Sequence, residues 1–187
     1  MMWRNTADAY GLIQMTLHWL IALLVAVLLP LGLWMTGLDY YDPWYKKAPD
    51  LHRAIGVVLA LLLTLRMGWR LAQVQPRSLA RSTWERRAAM AAHRLLYLLP
   101  LLLVVSGYLI STADGRSIDV FGWFEVPATL QGIQGQEDIA GDVHFALAML
   151  LLAVIMLHVM AALRHHLVHK DDTLRRMWPG VVNRRKR

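Results

Sequence analysis

Along the chain, apolar and polar positions separate into four long hydrophobic runs divided by charged segments. No Asp, Glu, Lys or Arg occurs from Ala9 to Leu38, and Met15 to Leu38 alone is long enough to cross the ~30 Å hydrocarbon layer of a bilayer. Pro30 is expected to kink this first helix. The second run, Leu51 to Ala72, carries Arg53, Arg66 and Arg70, leaving twelve uncharged residues from Ala54 to Leu65; arginines snorkelling from both ends make it a span. Leu95 to Ala113 and Val143 to Leu163 are free of formal charge. The pattern predicts an all-α fold, an integral membrane four-helix bundle with helices near 12–38, 51–72, 88–112 and 141–168 in one membrane domain over residues 1–187. A basic tail, 180–187, has the composition of a disordered segment. The connection "STADGRSIDVFGWFEVPATLQGIQGQEDIA" is long for a helical bundle and is expected to cover something, or to lie on the interface through Trp123 and Phe124.

Composition agrees with a bilayer as solvent, since 57% hydrophobic residues with eight Trp and ten Met is more apolar surface than 187 residues could hide from water. Trp3, Trp34, Trp44, Trp69 and Trp84 sit near span ends, where interfacial anchors belong. Arg4 before an apolar run resembles a secretory signal, but the run is too long and lacks a small-x-small cleavage site, so it is read as an uncleaved span. The net charge of +7 is unevenly distributed. The N-terminus, the segment around 73–90 and the tail sum to +12, and the two alternate connections to −5. That asymmetry places both termini in the cytoplasm of a multi-pass protein, which in a bacterium means the inner membrane with its acidic loops in the periplasm. The basic residues flank apolar runs and form no aromatic-interleaved basic face, so no nucleic-acid partner is expected.

Cysteine is absent, which excludes disulfides, thiolate metal sites, iron–sulfur clusters and covalent haem attachment. Histidine and methionine remain as ligands, and Met15, Met149, Met156 and Met160 are read as packing residues. His144 and His158 are fourteen residues apart, about 40° short of four turns, and so lie on nearly one helix face ~21 Å apart. The topology puts His18 and His158 near the cytoplasmic side, and His52 and His144 at the periplasmic mouth. A single helix histidine is more often a hydrogen-bonded structural residue, but four at paired depths suit two iron porphyrins, each gripped on both axial faces. Zinc or copper would demand more ligands at one site, although a haem-free metal transporter or sensor would use the same histidines. His93 competes for the inner site. Gly56, Ser106 and Gly107 would let a flat macrocycle approach the backbone. Arg53, Arg66 and Arg70 are most simply snorkelling residues, with haem propionates as second candidate partners.

The stretches "LHWLIALLV", "HRAIGVVLALLLTLRMGWR", "HRLLYLLPLLLVVSGYLIS" and "LHVMAALRHHLVHKDDTLRRMWP", in this order from about Tyr10 to Pro179, resemble the bacterial cytochrome b561 family, which is itself similar to hydrogenase cytochrome b subunits. The resemblance implies four transmembrane helices, two haems b and electron exchange with ubiquinone. Carried onto this sequence, it puts the axial ligands on His18, His52, His144 and His158, paired as above, and leaves His93 a non-ligand. It also implies an oxidoreductase that takes electrons from periplasmic superoxide and reduces ubiquinone, or else a carrier subunit for a dehydrogenase or hydrogenase partner. Lys46, Lys47, Arg53 and Arg116 are the cations available there to attract an anion, against a side that sums to −5. The resemblance points to "RHHLVHK" as a quinone neighbourhood in which His165 and His166 would handle protons, His165 being the better facing; a basic cap on the helix is the plainer alternative. Asp171 and Asp172 would relay protons or simply end the helix.

Overall fold

Each apolar run forms one long helix. The computed structural model describes residues 2–178, so the basic tail 180–187 lies outside the described residues. Helix α1 spans Leu12–Met35, α2 Lys47–Leu71, α3 Thr83–Thr112 and α4 Gln136–Arg164. All four are long and apolar enough to cross a bilayer. Pro30 in α1 and Pro100 in α3 lie within continuous helix.

Helices α2, α3 and α4 begin four or five residues before the starts expected from the pattern, at Lys47, Thr83 and Gln136 in place of 51, 88 and 141. Helix α3 starts early because Ser82 caps it, its Oγ accepting from Glu85 N at 3.1 Å, while Glu85 Oε2 accepts from Arg81 N at 2.7 Å. Helix α4 starts after Gly135, whose φ of 71° favours a residue without Cβ. Its first side chain, Gln136, donates from Nε2 to Leu109 O at 2.9 Å and to Leu130 O at 3.1 Å.

The long α3–α4 connection contains a small antiparallel hairpin, β1 (Ile118–Val120) with β2 (Phe124–Val126), in the register Asp119 opposite Glu125. Ile118 and Val120 are buried and β1 packs on α2, whereas Phe121 and Trp123 at the turn are exposed. Tyr108 pins the rest of the connection to α3: its hydroxyl donates to Pro127 O at 2.9 Å and accepts from Thr129 N at 2.7 Å.

Helix α1 packs against α2, α3 against α4, and α2 against α3. Between them lies an apolar plug of Val25, Leu28, Leu59, Leu63, Leu99, Leu151 and Val154. Outward-facing Leu20, Leu23, Leu61, Leu65, Leu98 and Leu150 are exposed from the protein and fit a lipid surround. The hairpin side of the bundle is opposite the side where α1 begins and α4 ends. On that terminal side three segments are tied together: Arg77 N donates to Ala7 O at 2.8 Å, Arg176 Nη1 to Arg77 O at 2.9 Å, and Trp19 Nε1 to Met177 O at 2.7 Å.

Candidate functional site

The histidines meet at two levels, one on either side of the apolar plug. On the hairpin side, the rings of His52 (α2) and His144 (α4) have centroids 6.2 Å apart and planes at 69°. On the terminal side, His18 (α1) and His158 (α4) are 6.5 Å apart at 80°. Two imidazoles binding one metal ion from opposite sides, with bonds of about 2.0 Å and about 1.1 Å from each nitrogen to its ring centre, have centroids about 6.2 Å apart. Both couples match that span. His93 stands 5.6 Å from His158, shorter than such a pair requires, and its residue is exposed where the other four are half-buried.

The hairpin-side couple is held closely. Ser106 Oγ lies 2.9 Å from His144 Nδ1 and also 2.9 Å from Leu102 O. With its one proton given to the carbonyl, the hydroxyl would accept from Nδ1–H and leave Nε2 with a free lone pair, the state a metal ligand needs. Gly107 is on the same turn, and a Cβ there would stand 3.2 Å from His144 Cε1. Gly32 of α1 fits His52 in the same way, with a Cβ falling 3.1 Å from its Cε1. His52 Nδ1 is buried without a hydrogen-bond partner. Nothing lies within 4 Å of the Cβ position of Gly56, one turn beyond His52.

Arg66 departs from the snorkelling expected of it. The residue is 9% exposed, its Nε donates to Tyr97 Oη at 2.8 Å, and its Nη1 is buried with no partner. It lies within electrostatic reach of His18, His158 and His93. Arg70 shares the same tyrosine: its guanidinium carbon is 5.7 Å from the Tyr97 ring centre, and that of Arg66 is 5.5 Å away. A buried guanidinium with a free N–H calls for an anion, and a haem propionate has the right chemistry. Arg53 is differently placed, donating from Nη2 to Asp50 at 2.5 Å. Among the described residues no three His, Asp or Glu converge as a chelating cluster, so the couples are two-ligand sites that suit a porphyrin supplying the other donors.

Beyond α4 the chain makes a π-helical turn, His165–His169, ended by Lys170 in the left-handed region at φ 53°. The turn brings Asp171 back under His165, with Oδ2 2.6 Å from Nδ1, while Glu85 Oε1 of α3 is 3.1 Å from Nε2. An imidazolium fills both contacts as a donor, and a neutral ring fills one. Burial of Asp171 works against its ionisation, but hydrogen bonds from His165 and Thr173 outweigh it and hold the carboxyl down at about 2. His166 points elsewhere and lines a hollow of about 290 Å³ with Leu167, Lys170, Asp171 and Arg175. At the hairpin side Arg116 is ion-paired with Asp114, which lowers the pKa of that carboxyl chiefly through the side-chain hydrogen bond.

Four residues of this arrangement escape a reading of histidines alone: Glu85, Tyr97, Gly32 and, as a hydrogen-bond acceptor, Ser106. A signal for one was available. Gly32 follows His18 by fourteen residues, the spacing that separates His144 from His158, and the same interval takes His52 to Arg66 and His93 to Gly107. Each helix therefore presents one residue to each level.

Comparison with known proteins bears on what this arrangement holds. The family model described as prokaryotic cytochrome b561 matches residues 9–180. "Cytochrome b561 homolog 2" of Escherichia coli (strain K12) is 49% identical over 178 residues, covering 95% of each chain. "Probable superoxide oxidase CybB" of Yersinia pestis is 32% identical over 173 residues, 91% of this chain and 96% of that protein. "Cytochrome b561 homolog 1" of Escherichia coli (strain K12) is 26% identical over 167 residues, 89% and 94% of the two chains.

Proposed function

Because the chain belongs to the prokaryotic cytochrome b561 family, whose members are membrane electron-transfer cytochromes with b-type haem, we propose that it holds two haems b and carries electrons from the periplasmic face to ubiquinone. The observation that carries this reading is the pair of imidazole couples, 6.2 Å and 6.5 Å between centroids, at two depths of one bundle. A b-type haem supplies a one-electron iron(III)/iron(II) couple. The family's haem sets aside the haem-free transporter or sensor.

In this reading His52 and His144 hold the outer haem, and His18 and His158 the inner one. Ser106 keeps His144 in the tautomer that leaves Nε2 free to ligate. Arg66, with Arg70 near the same tyrosine, receives propionates of the inner haem. Arg53 is a weaker candidate because Asp50 already occupies it. The terminal side is the cytoplasm of a bacterial inner-membrane protein, supported by the +12 against −5 distribution of charge. Ubiquinone occupies the neighbourhood of His165 and His166, and His165 Nε2, facing Glu85, holds a proton for delivery to the reduced ring.

The donor we propose is superoxide, supported by the 32% identity to the relative named as a probable superoxide oxidase. The balance is two superoxide anions, two protons and one quinone giving two dioxygen molecules and one quinol, with superoxide oxidised and quinone reduced. A docked dehydrogenase or hydrogenase is the second reading. It is favoured by Arg53 and Arg116 being paired with Asp50 and Asp114, which reduces their pull on a small anion. The test is the purified, partner-free protein, assayed for haem per chain and mixed rapidly with superoxide. Two haems and prompt haem reduction are expected. One haem per chain refutes the two-site reading, and two haems that stay oxidised refute superoxide as donor and leave the docked partner.

A further inference from the structure

The two levels differ in charge, and the difference lies in residues that are not proposed as ligands. At the outer level the two remaining helix positions are Gly32 and Gly107, which press against His52 and His144 and bring no charge. The two non-ligand positions at the inner level are Arg66, fourteen residues after His52 on α2, and His93, fourteen residues before Gly107 on α3. The Arg66 residue is 9% exposed, is fixed through Nε to Tyr97 at 2.8 Å, and has Nη1 buried without a partner. No carboxylate among the described residues forms an ion pair with it within 4.0 Å. The outer level's Arg53 has a side chain 34% exposed and paired with Asp50 at 2.5 Å, so its charge is both screened and neutralised.

We infer that Arg66, held in place by Tyr97, raises the reduction potential of the inner haem above that of the outer one and so makes transfer from the periplasmic to the cytoplasmic side the downhill direction. The inference rests on the two-haem reading above. Reducing an iron(III) haem adds one electron and no counter-charge, and a fixed guanidinium inside the low-dielectric bundle stabilises the added charge. If Nη1 takes a propionate, Arg66 neutralises a carboxylate that would otherwise disfavour the electron, so the sign is the same with or without that contact. One electron leaves the outer iron, which is oxidised, and enters the inner iron, which is reduced; no further reactant is needed. Tyr97 acts as a positioning residue, since its hydroxyl fixes the guanidinium and it need not touch the haem.

Spectroelectrochemical titration of the purified holoprotein tests this, because it reads potentials and not turnover. Two b-type components are expected, and the one that survives in His52→Ala is the inner haem. That component should be the higher of the two in the wild type. Arg66→Gln should lower it and leave the other unmoved, Arg66→Lys should restore most of the shift, and Tyr97→Phe should move it part of the way in the same direction. Where Arg66→Gln fails to retain haem, Tyr97→Phe and Arg66→Lys decide. An inner potential at or below the outer one in the wild type, or an unshifted inner component in Arg66→Gln and Tyr97→Phe, overturns the inference while two haems remain. A wild-type protein with a single haem per chain instead overturns the two-haem reading, so the two failures are distinct.

Discussion

Replacing Gly107 by Ala probes the outer couple with one methyl group. The new Cβ would lie 3.2 Å from His144 Cε1 and 3.5 Å from Nδ1, so the ring has to retreat by a few tenths of an ångström. Ser106 sits on the same helix as Gly107, and a ring leaving α3 also lengthens the 2.9 Å contact to Ser106 Oγ. That takes it toward or past the ~3.2 Å limit of an ordinary N–H···O bond. Losing the bond costs about 1 kcal/mol, and overfilling a packed site costs about 1–3 kcal/mol. Exchanging Gly for Ala within a helix returns about 1 kcal/mol. The net is a destabilisation of about 1–3 kcal/mol at the outer site, equivalent to haem held about fivefold to more than a hundredfold more weakly. Gly68→Ala is the matched control, because nothing lies within 4 Å of its Cβ position and only the helix gain remains. Haem per chain and the rate of haem loss to excess apomyoglobin give the readout. Gly107→Ala should lose one haem faster than wild type, while Gly68→Ala holds both. Equal retention in the two variants would falsify the idea that Gly107 shapes the seat of His144.

Single replacement of His18, His52, His144 or His158 by Ala should each reduce the haem content measured by pyridine haemochrome, and His93→Ala should leave two haems; the opposite result for His18 and His93 would reverse the inner pairing. Ser106→Ala should weaken retention of the outer haem by about tenfold, as removing the partner of a ligating imidazole commonly does, and a binding titration of the apoprotein would read it. Gly56→Ala meets no protein atom within 4 Å, so a drop in haem stoichiometry there, with helix content unchanged by circular dichroism, would locate the macrocycle against α2. The Asp171 carboxyl titrates at about 2 in the fold against ~3.9 in an unfolded chain. Its contribution to stability is therefore complete above pH ~4 and disappears as pH falls through about 2. Asp171→Asn should flatten the melting temperature across that window, and an unchanged acid limb would show that His165 and Thr173 do not hold the carboxylate.

The four spans are legible because a bilayer tolerates few charges and long uncharged runs are rare outside one. Helix starts are less legible. Ser82 and Gln136 are polar and suggest loop, yet they carry α3 and α4 outward by satisfying backbone groups and tying α4 to the end of α3. The hairpin is hidden because each strand has three residues, too short for an alternating pattern to stand out. Arg66 deceives for a different reason. Whether an arginine near a helix end snorkels depends on what it meets, and its partner Tyr97 is 31 residues away on another helix. The link from His165 to Glu85 is concealed in the same way, since Glu85 advertises itself only as a helix cap.

The fourteen-residue interval is visible in α4, but its recurrence in all four helices gains meaning only from the geometry. Residues eleven, fourteen or eighteen apart each return to nearly the same face of an α-helix, at axial separations of about 16, 21 and 27 Å. The longest would push one or both residues out of the ~30 Å hydrocarbon layer toward the headgroups, where water would compete for an imidazole. The shortest would bring the two histidine couples closer and leave less room between them for Leu59, Leu63, Leu99 and Leu151. Fourteen keeps both levels within the apolar layer with a dry plug between them. Because the interval is the same in all four helices, each helix contributes one residue to each level. In this chain the two levels then differ in which residue each helix places at each depth: His or Gly at the hairpin side, His or Arg at the other. The substitution pair Gly32→Arg and Arg66→Gly would test whether depth alone assigns these roles. If it does, each change should disturb the potential of the haem at its own level and leave the other unchanged.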